Sequence, residues 1–480
     1  MTEDLILHPD VKLRPDRGRT VLFSIQRPDS KIRDIFRYLF PQHAVILSLF
    51  DGKRDFDRVT ADTAYLFDIT YQEASEVLRV VLDLPVDKEK KVKDLLVKAS
   101  QVDLKRIRVY NPQDFIVPHD QVDMSNVRCL MPTSLMILPT LRCYTSCCYC
   151  YADRRKNAKE DEFDLYAFEG LLSAMSDCGM ETAEFSGGDF FCREDAYELL
   201  GCVLSRGMYA SIPTKYPLDR NQVRRLSELG LTSIQISIDA MDTEVVDCLV
   251  GMHGYGEKIL KTIELLGEFG IMVRTNTVLT RRNSHEAIRL ARYLAGLTHV
   301  YRMHFTCYSR SIYQHDDSLF CPHDAAKAFA DQLDDLKLKY PEKDISFSGV
   351  ITDPYSFTHE TKEKNFWARA FCTGNRRAFT ILPDGQVTIC EELYYHPDFI
   401  VGDIKKQSLM EIWNSPRSLE LAFPSQDTFP DGPCRSCPDF SRCHNHLGRC
   451  PREAIKAYGP ERHYWPDPRC PRAPQGHRMG

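Results

Sequence analysis

No window of the 480 residues approaches the ~20 consecutive apolar residues of a membrane-spanning helix, so no membrane partner is expected. The opening Met1-Thr-Glu-Asp-Leu-Ile-Leu-His-Pro9 lacks the basic start and apolar run of an export signal. Neither sign of charge is in large excess: 62 Lys and Arg stand against 68 Asp and Glu, a net charge of −6, with the two signs interleaved. That balance gives no electrostatic case for nucleic acid or an anionic bilayer as partner. Cysteine is absent from residues 1 to 100, yet the whole chain holds 18. A chain without an export signal is expected in the cytoplasm, where thiols stay reduced; metal binding or catalysis is then a better use for them than disulfides.

The composition, 43% apolar and 27% charged, is that of an ordinary soluble globular protein, and the length predicts two to four domains. The cysteines are clustered. Three, Cys143, Cys147 and Cys150, form a C-x3-C-x2-C set in Cys143-Tyr-Thr-Ser-Cys147-Cys148-Tyr149-Cys150, and seven fall between Cys372 and Cys470. The other eight, Cys129, Cys148, Cys178, Cys192, Cys202, Cys248, Cys307 and Cys321, form no ligand pattern; Cys178, Cys202 and Cys248 read as small buried hydrophobes in or beside helices, and Cys148 as a bystander.

Three thiolates spaced C-x3-C-x2-C can ligate three irons of a 4Fe-4S cube and leave the fourth without a protein ligand. Zinc is the competing reading, but zinc sites usually pair cysteines as C-x2-C twice or with histidine. The run at Cys143, Cys147 and Cys150 resembles the signature of the radical S-adenosylmethionine (SAM) enzymes. The resemblance implies that the open iron chelates the amino and carboxylate groups of SAM, and that an electron cleaves the sulfonium to a 5'-deoxyadenosyl radical.

From residue 133 onward, strand-like runs alternate with amphipathic helical ones, predicting a parallel sheet with helices outside it. The strands read are 134–138, 182–185, 209–212, 233–238, 272–279 and 300–306, with helices at 165–177, 195–206, 222–229, 257–269 and 284–294. Six such units fit an α/β fold, a partial (β/α)6 TIM-like barrel, whose chemistry belongs at the C-terminal strand ends. Ser186-Gly187-Gly188-Asp189 ends the second strand and resembles the family's glycine-rich stretch, usually Gly-Gly-Glu, which receives the SAM amino group; a plain turn is its alternative. Ser237 and Asp239 share one side of the fourth strand and resemble the pair that binds the SAM ribose, with a strand-end cap as the alternative. Thr214, which Pro213 makes readable as loop, and Tyr149, whose backbone would face adenine, match by position only.

Cys372-x12-Gly385-x4-Cys390 is followed by Cys434-x2-Cys437-x5-Cys443-x6-Cys450 and by Cys470. This order resembles the SPASM extension of radical SAM maturases, which holds two auxiliary 4Fe-4S clusters. Ala378 to Cys390 reads as a hairpin around Pro383-Asp384-Gly385. The resemblance implies one cluster on Cys372, Cys390 and Cys450 and another on Cys434, Cys437, Cys443 and Cys470. Leu447 stands where the family pattern requires a cysteine, so the first of these has three thiolates, its fourth iron either capped by His444, His446 or another cysteine, or open to a substrate thiolate. Zinc is the alternative for Cys434, Cys437 and Cys443.

Residues 1–100 open with strand-like runs at 11–13 and 20–25 and continue with helical ones at 44–50, 57–67 and 71–82. They resemble the small winged-helix, PqqD-like domains that take a leader peptide as an added strand on a sheet edge. Residues 101–132, with Pro112, Pro118 and Pro132, read as a connector, 133–350 as the radical SAM barrel and 351–480 as the Cys-rich SPASM domain. This order is similar to radical SAM peptide maturases, the sactipeptide and ranthipeptide synthases among them. It implies a precursor peptide with a leader as partner, a flavodoxin- or ferredoxin-type reducing protein, and SAM with three 4Fe-4S clusters as cofactors. The expected product is an intrapeptide crosslink, a thioether first and a carbon–carbon bond next, with surplus electrons passing to an auxiliary cluster. Glu391, directly after Cys390, stands where related sulfatase-maturing enzymes carry an acidic base, or is structural. The rivals are sulfatase cysteine or serine oxidation and a zinc-stabilised binding or regulatory protein.

Overall fold

The computed structural model describes residues 4–25, 27, 30, 32, 34–152, 162–314, 316–349, 359–369 and 371–474. The chain forms two compact units, Met1–Thr133 and Ser134–Gly480.

In the first unit the strands Val11–Asp16, Arg19–Ser24 and Phe36–Leu39 make an antiparallel sheet in that order. The helices Pro41–Ser48, Phe56–Phe67 and Tyr71–Leu82 follow. Asp55 caps the second by accepting from the Arg58 amide, and Thr70 with Glu73 forms a reciprocal capping box on the third. Asp68, at φ +52°, separates the two. The runs predicted at 11–13 and 20–25 are both there. Phe36–Leu39 was not foreseen: its four residues are too short for a visible alternation. Nor was the pairing of Leu5–Leu7 with Leu96–Lys98. Residues 101–132, read as a connector, pack within this unit: Phe115 is 2% exposed in its core, and the Tyr110 hydroxyl accepts from the Leu13 amide at 3.2 Å.

In the second unit one sheet places Thr182–Phe185 between Ser134–Ile137 and Tyr209–Ser211, all parallel. A second runs Pro213–Thr214, Ser233–Ser237, Met272–Leu279, Val300–Cys307 and Asp344–Ser348, again parallel throughout. The third predicted strand, 209–212, is observed as Tyr209–Ser211, and past Ile212 the chain enters the other sheet as Pro213–Thr214. Thr214, expected just past the third strand in a loop, thus lies in a short strand of its own. Proline is tolerated there because the ladder bond runs from the Gln235 amide to the Ile212 carbonyl, at 2.9 Å, and needs no proline N–H. The helix Leu165–Asp177 spans its predicted residues, capped by Asp164. The helices Thr243–Val250 and His323–Lys339 and the strand Asp344–Ser348 are additions to the predicted set.

The expected hairpin is Ala378–Ile381 against Gln386–Thr388, with Gly385 at φ +86° in its turn. Its first strand also pairs in parallel with Ser134–Ile137, Ala378 opposite Ser134 through Ile381 opposite Ile137. The cysteine-rich end thus begins as an extension of the first sheet. Among the described residues no helix is long and apolar enough to cross a membrane.

Candidate active site

Cys143, Cys147 and Cys150 lie on the loop after Ser134–Ile137 and line one cavity of about 540 Å³. The loop is fixed by its backbone: the Ser146 and Cys148 amides donate to Val250 and Leu249 at 2.8 and 2.9 Å, ending the helix Thr243–Val250 against it. Ser311 Oγ donates to the Tyr151 carbonyl at 2.8 Å, and Gln314 Nε2 to the Cys148 carbonyl at 3.1 Å. Cys148 is absent from the cavity lining, as a bystander should be. Burial pushes the Cys147 thiol up from its ordinary range, with the Lys215 ammonium opposing.

Ser186, Gly187, Gly188 and Asp189 line the same cavity. The Gly188 and Asp189 amides donate to the Thr140 and Arg142 carbonyls, both at 2.8 Å, so this turn is stapled to the start of the cysteine loop. A methyl group on Gly188 would stand 2.4 Å from the Arg142 oxygen. The glycine is needed for this approach of two backbones, before any ligand is considered.

The Asp189 carboxylate is 5% exposed and committed internally: it accepts from Thr214 Oγ1 at 2.8 Å and from the Lys215 amide at 2.7 Å. Burial raises its pKa, with the Lys215 amide and the Thr214 hydroxyl pulling it down. Asp189 and Thr214 therefore brace the cavity wall together.

Asp239, fully buried, accepts from Lys215 Nζ at 2.9 Å, from the Val278 amide at 3.0 Å and from the Tyr149 hydroxyl. Lys215 Nζ sits 5.5 Å from the centre of the Tyr149 ring. Ser237, the last residue of the strand Ser233–Ser237 and two residues before Asp239, lines the cavity too. The Tyr149 side chain is thus part of the site and not only its backbone. Lys215 was missed because a lone lysine after a two-residue strand carries no pattern. Glu184, Gln235 and Arg274, also in the lining, were missed for the same reason.

Glu391 reaches this cavity from the C-terminal region. Its carboxylate accepts from Ser186 Oγ at 2.9 Å and from the Tyr151 hydroxyl at 3.3 Å. Burial raises its pKa against the pull of the Ser186 hydroxyl.

Cys434, Cys437, Cys443 and Cys470 line a second cavity, of about 200 Å³. Burial pushes the Cys434 thiol up to about 12. The cavity exceeds what one tetrahedral ion needs, since ligands about 2.3 Å from zinc leave no void between them. Arg449 also lines it, and its buried Nε has no hydrogen-bond partner among the described residues, a donor that cluster sulfurs would satisfy. The residues present fit an iron–sulfur cluster.

Cys390 and Cys450, and Cys450 and Cys372, lie within electrostatic reach of each other. The Leu447 carbonyl accepts from the Cys372 amide at 3.0 Å, so position 447 adjoins the three-thiol set. The His444 ring is in the four-thiol cavity, stacked on Phe440 at 4.0 Å, and its pKa is pushed down to about 2 by burial and then by Arg449. The His446 carbonyl accepts from Arg376 Nη1 at 2.7 Å. Of the cysteines read as buried hydrophobes, Cys178 is buried; Cys202 is half-buried, donating to Glu169 at 3.4 Å, and Cys248 is exposed at the helix surface.

The Radical SAM superfamily model matches residues 137–294, and the SPASM iron–sulfur cluster-binding domain matches residues 372–438. The chain is 26% identical over 322 residues to the PqqA peptide cyclase of Methylocella silvestris, covering 65% of this chain and 83% of that one. In fold it is similar to the crystal structures of Streptococcus suis SuiB bound to S-adenosylmethionine and bound to precursor peptide SuiA, with TM-scores of 0.63 and 0.60 and 16% identity. Each likeness covers 97% of this chain and 99% of that one. SAM and more than one 4Fe-4S cluster are the cofactors that these two domains imply. The chain is a radical SAM enzyme with a SPASM domain.

Proposed function

We propose that this enzyme closes an intrapeptide crosslink in a ribosomally made precursor peptide, a thioether to cysteine first and a carbon–carbon bond second. The observation that carries this reading is that three thiols, a glycine turn and an acidic side chain from the C-terminal region face a single cavity. The relatives named for a peptide cyclase and the fold likeness to a protein bound to its precursor peptide support a peptide substrate.

In this reading the strands from Ser134–Ile137 to Val300–Cys307 form the partial (β/α)6 barrel. Cys143, Cys147 and Cys150 hold the first cluster, whose joint chemistry with SAM, when bound, is abstraction of a hydrogen atom from the substrate. Ser186, Gly187, Gly188 and Asp189 bound the methionine end, and Tyr149, Thr214, Ser237 and Asp239 the nucleoside end. Asp239 is held in place by Lys215 and the Val278 amide. Glu391 faces the cavity with a proton-accepting carboxylate and takes the proton of the attacking thiol. Closing a C–S bond at the expense of one C–H and one S–H leaves one electron over, which requires an acceptor in the chain. Cys372, Cys390 and Cys450, and Cys434, Cys437, Cys443 and Cys470, hold two auxiliary clusters for that role. Residues 1–100 act as a winged-helix domain that binds the leader as an added strand, and a flavodoxin- or ferredoxin-type protein reduces the enzyme in the cytoplasm.

The test is mass spectrometry of a cysteine-containing precursor peptide after anaerobic incubation with reconstituted enzyme, SAM and reductant. The expected product is lighter by two hydrogens and yields 5'-deoxyadenosine; a thioether also removes one alkylatable thiol. A peptide unchanged in mass contradicts the crosslink, and loss of hydrogen with the thiol intact replaces the thioether by a carbon–carbon bond. Deleting residues 1–133 should abolish leader binding while leaving SAM cleavage.

A further inference from the structure

Arg449 lies half-buried in the wall of the four-thiol cavity, with its Nε atom fully shielded from solvent. Its Nη1 donates to the carbonyls of His463 and Trp465, the latter at 2.7 Å, while its Nε has no partner among the described residues. Asp467, the carboxylate within electrostatic reach of Arg449, is engaged by Arg469 at 2.6 and 2.9 Å, and Asp439 by Arg472 at 2.9 Å. Among the described residues no carboxylate stands within ion-pair distance of Arg449. A buried guanidinium N–H without an acceptor is costly, and a negative charge arriving beside it offsets that cost. The thiols within its electrostatic reach are Cys434 and Cys443 of the four-thiol set and Cys450 of the three-thiol set, so the cation is shared by both. Arg369 adds a second: its Nη2 lies 3.3 Å from Cys443 Sγ.

We infer that Arg449, seconded by Arg369, is the charge that raises the reduction potential of the auxiliary centres and makes them able to take the electron left over from crosslink closure. This rests on the reading that those thiols hold clusters. Reduction adds one electron and one negative charge to a cluster, so a fixed neighbouring cation favours the reduced form and its removal the oxidised one. A hydrogen bond from the free Nε to a cluster sulfur acts in the same direction.

The experiment is a dye-mediated redox titration of the anaerobic holoenzyme followed by electron paramagnetic resonance, with iron and sulfide counted for every sample. Arg449→Met should lower the reduced-to-oxidised ratio of at least one auxiliary signal by about tenfold at the wild-type midpoint, or 59 mV for a one-electron couple. Arg449→Lys, which keeps the charge, should restore most of it. A wild-type titration curve for Arg449→Met at full iron load overturns the inference. If Arg449→Met fails to retain its iron, Arg369→Gln, at a half-buried position, takes its place: a shift of the same sign supports the inference and an unchanged midpoint overturns it. Wild-type enzyme with iron for the first cluster alone would instead sink the underlying reading of the C-terminal thiols.

Discussion

Gly188 has no room for a methyl group: its Cβ would meet the Arg142 oxygen at 2.4 Å and the Thr140 oxygen at 2.8 Å, both main-chain atoms that cannot swing aside. Gly188→Ala should therefore cost about 1–3 kcal/mol of stability and weaken SAM binding, measured by denaturant titration and equilibrium dialysis. Cys143→Ser should reduce the iron content by about four atoms per chain and leave the remaining cluster signals in place, since each 4Fe-4S cube is an independent load. A loss spread over all the iron would show that the three thiol sets assemble as one. Cysteine positions were legible at this scale because ligand spacing is a local property of the chain. Lys215 was not, because its role comes from reaching Asp239, 24 residues away, at 2.9 Å.

At the scale of elements, the helix Tyr255–Glu268 presents Gly267 to the ring of His299, whose Nδ1 would lie 2.4 Å from an added Cβ. The ring is tied at its other nitrogen to the Ile263 carbonyl at 3.0 Å. Gly267→Ala in an isolated helix would gain about 1 kcal/mol, but here it should destabilise by about 1–3 kcal/mol. Urea unfolding of Gly267→Ala alone and combined with His299→Ala checks this: the second change should relieve part of the first. The helices Leu165–Asp177 and Tyr255–Glu268 and the eight-residue strand Met272–Leu279 were legible because their periodicity is repeated over two or more turns or alternations, whereas the helix His323–Lys339 was missed. The strand Pro213–Thr214 beyond Ile212 was not legible, because the sheet it joins depends on partners that lie elsewhere in the sequence.

Across the whole molecule, burial lowers the pKa of His43 in the first unit and of His299 and His304 in the second. A histidine whose folded pKa lies below its unfolded value of about 6.5 takes up fewer protons when folded, so its contribution is intact above that pH and is lost as pH falls toward the lowered value. Stability of the enzyme should fall from pH 7 to pH 5.5, seen as a lower urea midpoint, and glutamine at these three positions should flatten the decline. The sequence by itself carried the case for the chemistry: Cys143, Cys147 and Cys150 and seven more thiols near the C-terminus stand at the spacing of ligand sets, and the α/β alternation follows from side-chain periodicity. Only the tertiary structure decided that Glu391 looks into the same cavity as Cys143, 248 residues earlier, that His444 belongs with the four thiols, and that Arg449 stands beside both sets. The physical reason is that ligand spacing and amphipathic period are written in near neighbours, whereas a shared cavity is made by backbones that meet only through sheet pairing and the burial it forces.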